Sequence, residues 1–294
     1  MLACRNMEPK GPSMTDVDLP YFDQVIQQLT DGDKGYEQAW GKHVHWGYWG
    51  NPQAADGSVD DFAKAADKFC FKHYELANVK DGQAILDVGC GFGGNIELLN
   101  SHYNNMNLTG LNIDPRQIAR AELQVKPKCK ASNSIEFNVG NAVELPYADN
   151  QFDIVFALEC IFHFPSREQF IAEAHRVLKP GGKLVFSDFV GVKYAMPVLQ
   201  LTSRFTMGAA AKTLGHVLPF ESMAGYLAHA KDTGFVYEDD LDITRNVLPS
   251  IPVYKALLGT GEKFVTQMFQ TQARVSDSMR YHLVKFMILS FQKP

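Results

Sequence analysis

The sequence lacks an apolar run long enough to cross a bilayer, since its longest ones, such as 154–158 and 184–186, fall far short of roughly 18 residues. It also lacks an excess of basic residues. Its 28 Lys and Arg stand against 33 Asp and Glu, the net charge is −5, and the basic residues form no run. The field of such a protein repels a phosphate backbone. These absences predict a protein that does not span a membrane and has no nucleic-acid partner.

Paired cysteines are missing as well. The five cysteines, Cys4, Cys70, Cys90, Cys129 and Cys160, are odd in number, widely spaced and without a CxxC pair. Residues 1–14 lack the basic start, apolar centre and small-residue cleavage site of a secretory signal. Together these absences predict a reducing compartment and a cytoplasmic location. His43 and His45 suggest a metal site, but no further Cys, His or carboxylate accompanies them at ligand spacing along the chain, so no metal is predicted.

The composition is that of an ordinary globular protein. The chain has 294 residues, of which 46% are hydrophobic and 21% charged, and at roughly 150 residues per domain it holds one large or two small domains. Four regions are predicted: a disordered tail at 1–15, an N-terminal helical cap segment at 16–78, an α/β core at 79–190, and cap helices with the last two strands at 191–294.

Short apolar runs alternate with helical periodicity through the core, which predicts parallel strands joined by crossover helices. Strands are predicted at 84–88, 107–112, 135–139, 152–157, 183–188, 240–244 and 285–291. Helices are predicted at 16–29, 59–76, 95–101, 116–124, 167–177, 194–211, 221–234 and 253–279. The fold class is therefore α/β, a doubly wound and mostly parallel sheet of seven strands with an N-terminal helical, aromatic segment and a C-terminal helical cap.

A glycine-rich turn follows the first strand. Gly89, Gly91 and Gly94 satisfy the GxGxxG pattern of dinucleotide-binding turns. Asp87 stands immediately before the turn, where a carboxylate would repel a pyrophosphate and attract a cation. S-adenosylmethionine, which carries a sulfonium and an ammonium and no phosphate, fits that arrangement, and a nicotinamide cofactor remains the alternative.

Three ordered motifs resemble those of the class I methyltransferases that use S-adenosylmethionine. They are DVGCGFGG at 87–94, LPYADNQFDIVFALE at 145–159 and RVLKPGGKL at 176–184, and the resemblance extends from about residue 36 to residue 190. Two further segments, YEQAWGKHVHWGYW at 36–49 and ECIFHFPSREQF at 159–170, resemble small-molecule enzymes of the sterol C-methyl, rebeccamycin-type sugar O-methyl and sarcosine/dimethylglycine N-methyl groups. The resemblance implies a Rossmann-like fold, S-adenosylmethionine as cofactor and a small-molecule methyl acceptor.

The resemblance also implies which residues bind the cofactor. They are Asp87, Gly89, Gly91, Asn112, Gln117, Asn141, Ala142 and Leu158. Most class I enzymes have an acidic residue where this chain has Asn112, so the ribose role passes to this amide with Gln117 as its helper, because an amide can both donate and accept. Asn141 stands where the family usually has Asp, and its amide oxygen is expected to contact the adenine amino group.

His163 and Asp188 are the predicted catalytic pair. Both follow strands at carboxyl ends, where doubly wound folds bind ligands, so they are expected to face one crevice. In the rebeccamycin-type enzymes the matching residues act as base and partner, although there a second His stands where this chain has Phe162. The competing interpretation is that His163 is structural and Asp188 caps a helix. The predicted substrate residues are Trp46, Tyr48, Trp49, Glu159 and Phe162, with core packing as the alternative for the aromatic ones.

The leading hypothesis is therefore methyl transfer to an oxygen or nitrogen of a small metabolite, with His163 as the base. The alternatives are C-methylation of a sterol-like or isoprenoid-like substrate, a nicotinamide-dependent oxidoreductase, and a catalytically silent relative that only binds a ligand. The sequence leaves open the acceptor, the number of methyl groups added and the oligomeric state, with a homodimer among the states that remain.

Overall fold

The fold is built on one mixed sheet of eight strands. The structure is a computed structural model that describes residues 20–202, 215–258 and 278–294. The strands are β1 (Ala84–Val88), β2 (Asn107–Asn112), β3 (Ser134–Val139), β4 (Phe152–Ala157), β5 (Leu178–Gly191), β6 (Glu221–Ser222), β7 (Val236–Asp242) and β8 (Val284–Gln292). Their order is β3-β2-β1-β4-β5-β8-β7, and β6 pairs with β5. Strands β1 to β5 run parallel, whereas β8 is antiparallel to both of its neighbours.

Helices connect the strands and precede the sheet. They are α1 (Pro20–Thr30), α2 (Lys34–Trp40), α3 (Val59–Ala77), α4 (Gly94–His102), α5 (Pro115–Gln124), α6 (Arg167–Val177), α7 (Met223–Thr233), α8 (Thr244–Val247) and α9 (Ser250–Leu258). Single 3-10 turns lie at Pro52–Ala54, Lys126–Lys128 and Ile161–His163, and residues 196–202 are helical. In the part of the chain that the structure describes, no helix combines the length and apolarity that crossing a membrane requires.

The sheet separates two apolar clusters, because successive residues of a strand point to opposite faces. On β1, Ile85 packs in the cluster that receives side chains from α1 to α5, whereas Leu86 and Val88 pack in the cluster with α6 and α7. Helices thus cover both faces, which is why the strands are apolar on both sides and read as continuous apolar runs. The predicted doubly wound α/β fold is confirmed.

The predicted bounds of β1, β2, β4 and α6 agree with the structure, and those of α3, α4 and α5 agree within one residue. Strand β5 is longer than predicted, running from Leu178 to Gly191. The Lys-Pro-Gly-Gly stretch ends α6 as expected, but it stays in the ladder because Gly181 N–H donates to the carbonyl of Lys293 at 2.8 Å and Gly182 accepts from Lys293 N–H at 2.9 Å. A breaker of a helix is therefore retained in a strand by cross-strand pairing.

Strand β7 begins four residues before its predicted start at 240 and ends at Asp242. It lies at the edge of the sheet, and its first residues, from Val236 to Asp239, are exposed, so no alternation of apolar side chains marks it in the sequence. The predicted helix at 221–234 is divided into β6 and α7. The tail at 1–15, the first residues of the helix at 16–29, and the parts at 203–211 and 259–277 of two predicted helices lie outside the described residues.

Residues 41–50, which hold the aromatic segment, contain no helix or strand. Main-chain N–H groups of these residues donate hydrogen bonds to side chains from two distant parts of the chain. Trp46 N–H donates to Oε2 of Glu159 at 2.7 Å, just beyond β4, and Gly47 N–H donates to Oγ of Ser250 at 2.9 Å, on α9. We call residues 41–50 the aromatic segment below. It runs across the carboxyl end of the sheet, where the candidate site lies.

Candidate active site

A cavity of about 580 Å³ opens at the carboxyl ends of the parallel strands. This is where doubly wound sheets bind ligands, because the loops diverge there and leave a crevice. The walls come from the ends of β1 and β2, the turns after β3 and β4, helix α1 and the aromatic segment. The predicted residues on the walls are Asp87, Gly89, Gly91, Asn112, Gln117, Asn141, Ala142, Leu158, Glu159 and His163.

The glycine-rich turn after β1 forms the floor of the cavity. Gly89 has φ 78°, and a side chain there would place its Cβ 2.6 Å from Sγ of Cys160. Its N–H donates to the carbonyl of Leu111 on β2 at 2.8 Å. Because only glycine adopts this conformation without strain and without a clash, the turn brings bare backbone up to the cavity.

Asp87 is a buried carboxyl on β1 that lines this cavity. Burial raises its pKa to about 7, and the neighbouring Asn95 amide opposes that shift only in part. Tyr74 donates its hydroxyl hydrogen to Oδ1 of Asn95 at 2.6 Å, so the Asn95 amide lies between Tyr74 and Asp87. A cationic group beside Asp87 would favour the carboxylate and lower its pKa again.

A second amide pair lies at the end of β2. Asn112 donates from Nδ2 to Oε1 of Gln117 at 3.0 Å, and both side chains are buried. Nε2 of Gln117 has no hydrogen-bond partner within the described chain. Buried amide donors are rarely left unpaired, because the lost hydrogen bond to water costs about 1–3 kcal/mol. Because Gln117 lines the cavity, its unpaired nitrogen points to a ligand with acceptor oxygens.

Three further predicted residues close the cavity. Asn141 lies after β3, and its Oδ1 accepts from Val143 N–H at 3.2 Å, which leaves a second lone pair on that oxygen. Ala142 and Leu158 are buried apolar residues of the walls. Together these residues can hold a flat ring with a polar edge.

His163 faces the cavity from the 3-10 turn after β4. Its Nδ1 lies 2.9 Å from the carbonyl oxygen of His216, and because a carbonyl can only accept, Nδ1 carries the hydrogen. Burial lowers the pKa of His163 to about 4. The imidazole is therefore neutral at pH 7, with its basic lone pair on Nε2.

Comparison with known proteins identifies the family. The family described as "Methyltransferase domain" matches residues 86–186. The 27-O-demethylrifamycin SV methyltransferase of Amycolatopsis mediterranei is 30% identical over 228 residues, 74% of this chain and 78% of that one. The (+)-O-methylkolavelool synthase of Herpetosiphon aurantiacus is 30% identical over 241 residues, 81% of this chain and 77% of that one.

The chain belongs to the class I S-adenosylmethionine-dependent methyltransferases. It is an enzyme that transfers a methyl group from S-adenosylmethionine to a small molecule, as predicted. The family match decides against the nicotinamide-dependent oxidoreductase that the GxGxxG turn left open. Two solved structures share the fold. The [4+2]-cyclase SpnF has a TM-score of 0.69 and 23% identity, with 94% of each chain covered. The cyclopropane synthase MmaA2 of Mycobacterium tuberculosis has a TM-score of 0.74 and 15% identity, with 94% of this chain and 99% of that one covered.

The cavity of this methyltransferase fits its cofactor. S-adenosylmethionine offers an ammonium for the carboxylate of Asp87, and its ribose, adenine and carboxylate offer acceptor atoms for the unpaired amide nitrogen of Gln117. The backbone at Gly89 permits close approach. Among the described residues that line the cavity, Lys42 is the one Lys or Arg, and it pairs with Asp67, so these walls do not suit a pyrophosphate.

The structure does not place Asp188 on the wall of the cavity that His163 lines. Asp188 is fully buried on β5, a strand in the interior of the sheet. Its Oδ2 accepts from Arg167 Nη2 at 2.8 Å and Nε at 2.9 Å and from the hydroxyl of Tyr226, and its Oδ1 accepts from Phe189 N–H at 2.7 Å. The carboxylate is thus held by a buried ion pair with Arg167 on α6 and by the hydroxyl of Tyr226 on α7.

The aromatic residues predicted to contact the substrate do not line the cavity either. They pack in the core of the aromatic segment: Trp46 lies against Phe189, Tyr254 and Phe286, Trp49 donates Nε1–H to Asp61, Tyr48 lies under Lys72, and Phe162 packs on Phe189. The correction has a simple cause. Large rings gain stability by mutual burial, and in the described part of the chain these four pack against the core instead of lining this cavity.

Glu159 is the predicted substrate residue that the structure places in the cavity. It has φ 52°, in the left-handed region, and its Oε2 accepts from Trp46 N–H at 2.7 Å. Burial raises the pKa of Glu159 well above its ordinary value. The side chain therefore joins the aromatic segment to the end of β4 while facing the ligand space.

Sequence analysis missed several cavity residues, namely Phe22, His43, His45, Asn95, Cys160 and His216. Phe22 comes from α1 and Asn95 from the first turn of α4, so neither lies in a motif that marks a ligand. The HxH spacing of His43 and His45 was a signal, and it was set aside for want of a third ligand.

That third ligand exists in space. His43, His45 and Cys70 each offer one ligand atom, and these atoms lie within 4.8 Å of one another. Cys70 is on α3, 25 residues beyond His45, so a search along the chain at ligand spacing does not find it. Burial lowers the pKa of both histidines, which keeps their imidazoles neutral. Ligand spacing along the chain therefore does not exclude a metal here, because the third residue comes from a helix distant in the sequence.

Proposed function

We propose that this methyltransferase methylates a hydroxyl oxygen of a small, largely apolar metabolite, with His163 as the general base. The observation that carries the proposal is the orientation of His163. Its Nδ1–H is held by the carbonyl of His216, so the basic nitrogen is Nε2, on a side chain that lines the same cavity as Asp87. A base is needed because a neutral hydroxyl is a poor nucleophile until its proton is removed.

The names of two relatives support oxygen as the acceptor. One is a 27-O-demethylrifamycin SV methyltransferase and the other a (+)-O-methylkolavelool synthase, and each match spans about three quarters or more of both chains. The relative named 24-methylenesterol C-methyltransferase 2, of Arabidopsis thaliana, is 36% identical but over 155 residues, 53% of this chain and 40% of its own. The longer similarity favours oxygen over carbon.

The residues that would hold the cofactor follow from the chemistry of the walls. Asp87 would accept from the cofactor's ammonium, Asn112 and Gln117 would bind the ribose hydroxyls, and Asn141 would accept from the adenine amino group. The backbone of Gly89 and Gly91 would allow the chain to approach closely. When bound, the cofactor supplies a methyl group activated by its sulfonium.

The base then has one task. The hydroxyl proton moves to Nε2 of His163, and the resulting imidazolium keeps its Nδ1–H donated to His216. A pKa of about 4 means that the imidazole is already unprotonated at neutral pH. It also makes His163 a weak base without substrate, and the cavity compensates by excluding water and orienting the hydroxyl.

The test compares His163→Ala and His163→Gln with the wild type and with His229→Ala, a histidine on α7 outside the cavity. Formation of S-adenosylhomocysteine is measured with a panel of hydroxylated polyketides, terpenoids and phenols, and its binding is measured by calorimetry. We expect kcat to fall about 10²- to 10⁴-fold in both His163 variants, with the Kd for S-adenosylhomocysteine unchanged. Unchanged turnover in these variants would refute the base role.

A panel of olefinic isoprenoids, run in parallel, tests the acceptor atom. Turnover of these compounds and none of the hydroxylated ones would overturn oxygen in favour of carbon. No turnover of either class, with intact binding of S-adenosylhomocysteine, would overturn both oxygen and carbon of these compounds as the acceptor.

We also propose a cytoplasmic location and no nucleic-acid acceptor, supported by the cysteine pattern and the net charge of −5. A homodimer is the proposed alternative to a monomer. Fractionation of the source cells and light scattering of the purified chain test these points.

A further inference from the structure

We propose that His43, His45 and Cys70 form a zinc-binding site at the edge of the active-site cavity. The two histidines belong to the aromatic segment and the cysteine to α3, and all three are buried. Neither the proposed methylation nor the family requires this site. It is inferred from the positions of the three side chains alone.

The spacing of the ligand atoms suits a tetrahedral ion. Sγ of Cys70 lies 3.5 Å from Nε2 of His45 and 3.9 Å from Nδ1 of His43. Zinc bonds of about 2.3 Å to sulfur and about 2.0 Å to nitrogen, at a tetrahedral angle, separate these ligands by about 3.5 Å. All three ligand atoms lie within 4.8 Å of one another, so the two histidine nitrogens must approach each other, to about 3.3 Å, when they share one ion with Cys70.

The hydrogen bonds on the far side of each ring orient both histidines toward the cysteine. Nε2 of His43 lies 2.8 Å from Oδ1 of Asp67, and Nδ1 of His45 lies 2.9 Å from the carbonyl oxygen of Trp46. Both acceptors take a hydrogen, so each neutral imidazole carries its lone pair on the nitrogen nearest Cys70. A histidine that donates its outer N–H to a carboxylate or carbonyl is the usual arrangement around a bound metal.

The chemistry of the set favours zinc. Two imidazoles and one thiolate suit a borderline-soft ion, whereas magnesium and calcium prefer oxygen ligands. On binding, the thiol proton of Cys70 passes to solvent and the thiolate bonds to the ion. Three protein ligands leave a fourth position, and because His43 and His45 line the cavity, water or an acceptor oxygen can reach it from there.

The site would also stabilise the wall of the cavity. The aromatic segment has no helix or strand of its own, and the ion would join it to α3. Metal binding to the folded state adds its free energy to folding, so zinc should raise the melting temperature of the protein.

The experiment uses the full chain, freed of metal with a chelator under reducing conditions. Zinc and cobalt(II) are titrated separately into the wild type, Cys70→Ser, His45→Gln, Asp67→Asn and the control Cys129→Ser, whose thiol lies outside the cluster. The readouts are bound metal per chain, the thiolate-to-cobalt absorption band, and the melting temperature with and without zinc. Binding of S-adenosylhomocysteine is followed in the same samples.

We expect one zinc per chain and a thiolate-to-cobalt band in the wild type and in Cys129→Ser. The band should be absent from Cys70→Ser, and the zinc affinity of Asp67→Asn should fall about 10- to 100-fold, because its carboxylate supports His43. A wild type without this band, or a band that persists in Cys70→Ser, would overturn the proposal. If Cys70→Ser does not fold, the proposal is judged by two other results. These are the thiolate-to-cobalt band of the wild type and the loss of zinc binding in His45→Gln. Binding of S-adenosylhomocysteine by zinc-free protein shows separately whether the cofactor site is intact.

Discussion

Replacing the buried carboxyl of Asp87 by an amide should stabilise the ligand-free methyltransferase and weaken its cofactor binding. The pKa of Asp87 is about 7 in the folded chain and about 3.8 in the unfolded chain. Because the folded state holds its proton more tightly, it is favoured at low pH and loses stability as the pH rises from 3.8 to 7. The difference corresponds to roughly 4 kcal/mol once both states are ionised.

Asp87→Asn removes that cost while keeping the size of the side chain. At pH 8 we expect the free energy of unfolding, measured with urea and without ligand, to rise by about 2–4 kcal/mol. At pH 4.5, where the folded wild type is already protonated, the gain should shrink to about 1 kcal/mol. The pH dependence separates the loss of a buried charge from a general packing effect.

Binding of the cofactor should change in the opposite direction. Removing one partner of a buried charge pair costs at least about 2 kcal/mol, or roughly 30-fold in Kd for S-adenosylhomocysteine by calorimetry. In the wild type, Kd should rise about tenfold for each pH unit below 7, because the carboxyl must lose its proton to accept the ammonium. The control Asp153→Asn, at the opposite end of the sheet, should lose stability and keep its affinity, because it removes an ion pair with Lys179.

The reasoning is refuted if Asp87→Asn binds S-adenosylhomocysteine as tightly as the wild type. It is equally refuted if the gain in stability of Asp87→Asn over the wild type is smaller at pH 8 than at pH 4.5. The first result would place the ammonium elsewhere, and the second would mean that the carboxyl is not desolvated.

Two other substitutions test the fold around the site. Asp188→Asn should lower the free energy of unfolding in urea by about 3–5 kcal/mol, because it leaves Arg167 buried without its charged partner. The control Asp149→Asn, in an exposed ion pair with Arg176, should lower it by less than about 1 kcal/mol. Equal effects of the two substitutions would contradict a structural role for Asp188. Gly94→Ala would place a Cβ 2.3 Å from the carbonyl oxygen of Lys42 and should lower the free energy of unfolding by about 1–3 kcal/mol. The control Gly50→Ala meets no atom within 4 Å and should change that free energy little. A Gly94→Ala variant as stable as the wild type would show that the aromatic segment can move.

Much of the core could be predicted because its signals are local. The bounds of α6 follow from Ser166, whose Oγ accepts from Gln169 N–H, and from the Lys-Pro-Gly-Gly stretch at its end. The cofactor turn follows from glycines whose backbone conformation other residues rarely adopt. Edge strand β7 had no such signal, because its exposed side chains need not alternate.

The catalytic and substrate residues were predicted less well, because position along a strand does not determine what a side chain meets. Asp188 ends the central apolar run of β5 just as a ligand-binding residue would, yet Arg167 on α6 captures its carboxylate. Trp46 packs against Phe189 and Trp49 against Phe62, and neither lines the cavity. Cys70 joins two histidines across 25 residues of chain, and no spacing rule predicts that meeting.

The sequence by itself determined most of the succession of strands and helices, the glycine turn and the family, and it singled out acidic and amide residues that the structure brings to one cavity. These depend on periodicity, on backbone conformation and on short motifs, all of which act within a few residues. Only the tertiary structure decided that His163 would face the cavity without Asp188, that the aromatic rings would form a core, and that His43, His45 and Cys70 would meet. Such contacts join residues that are far apart in the sequence. Which side chain pairs with a buried charge, ring or lone pair therefore depends on how the helices and strands pack.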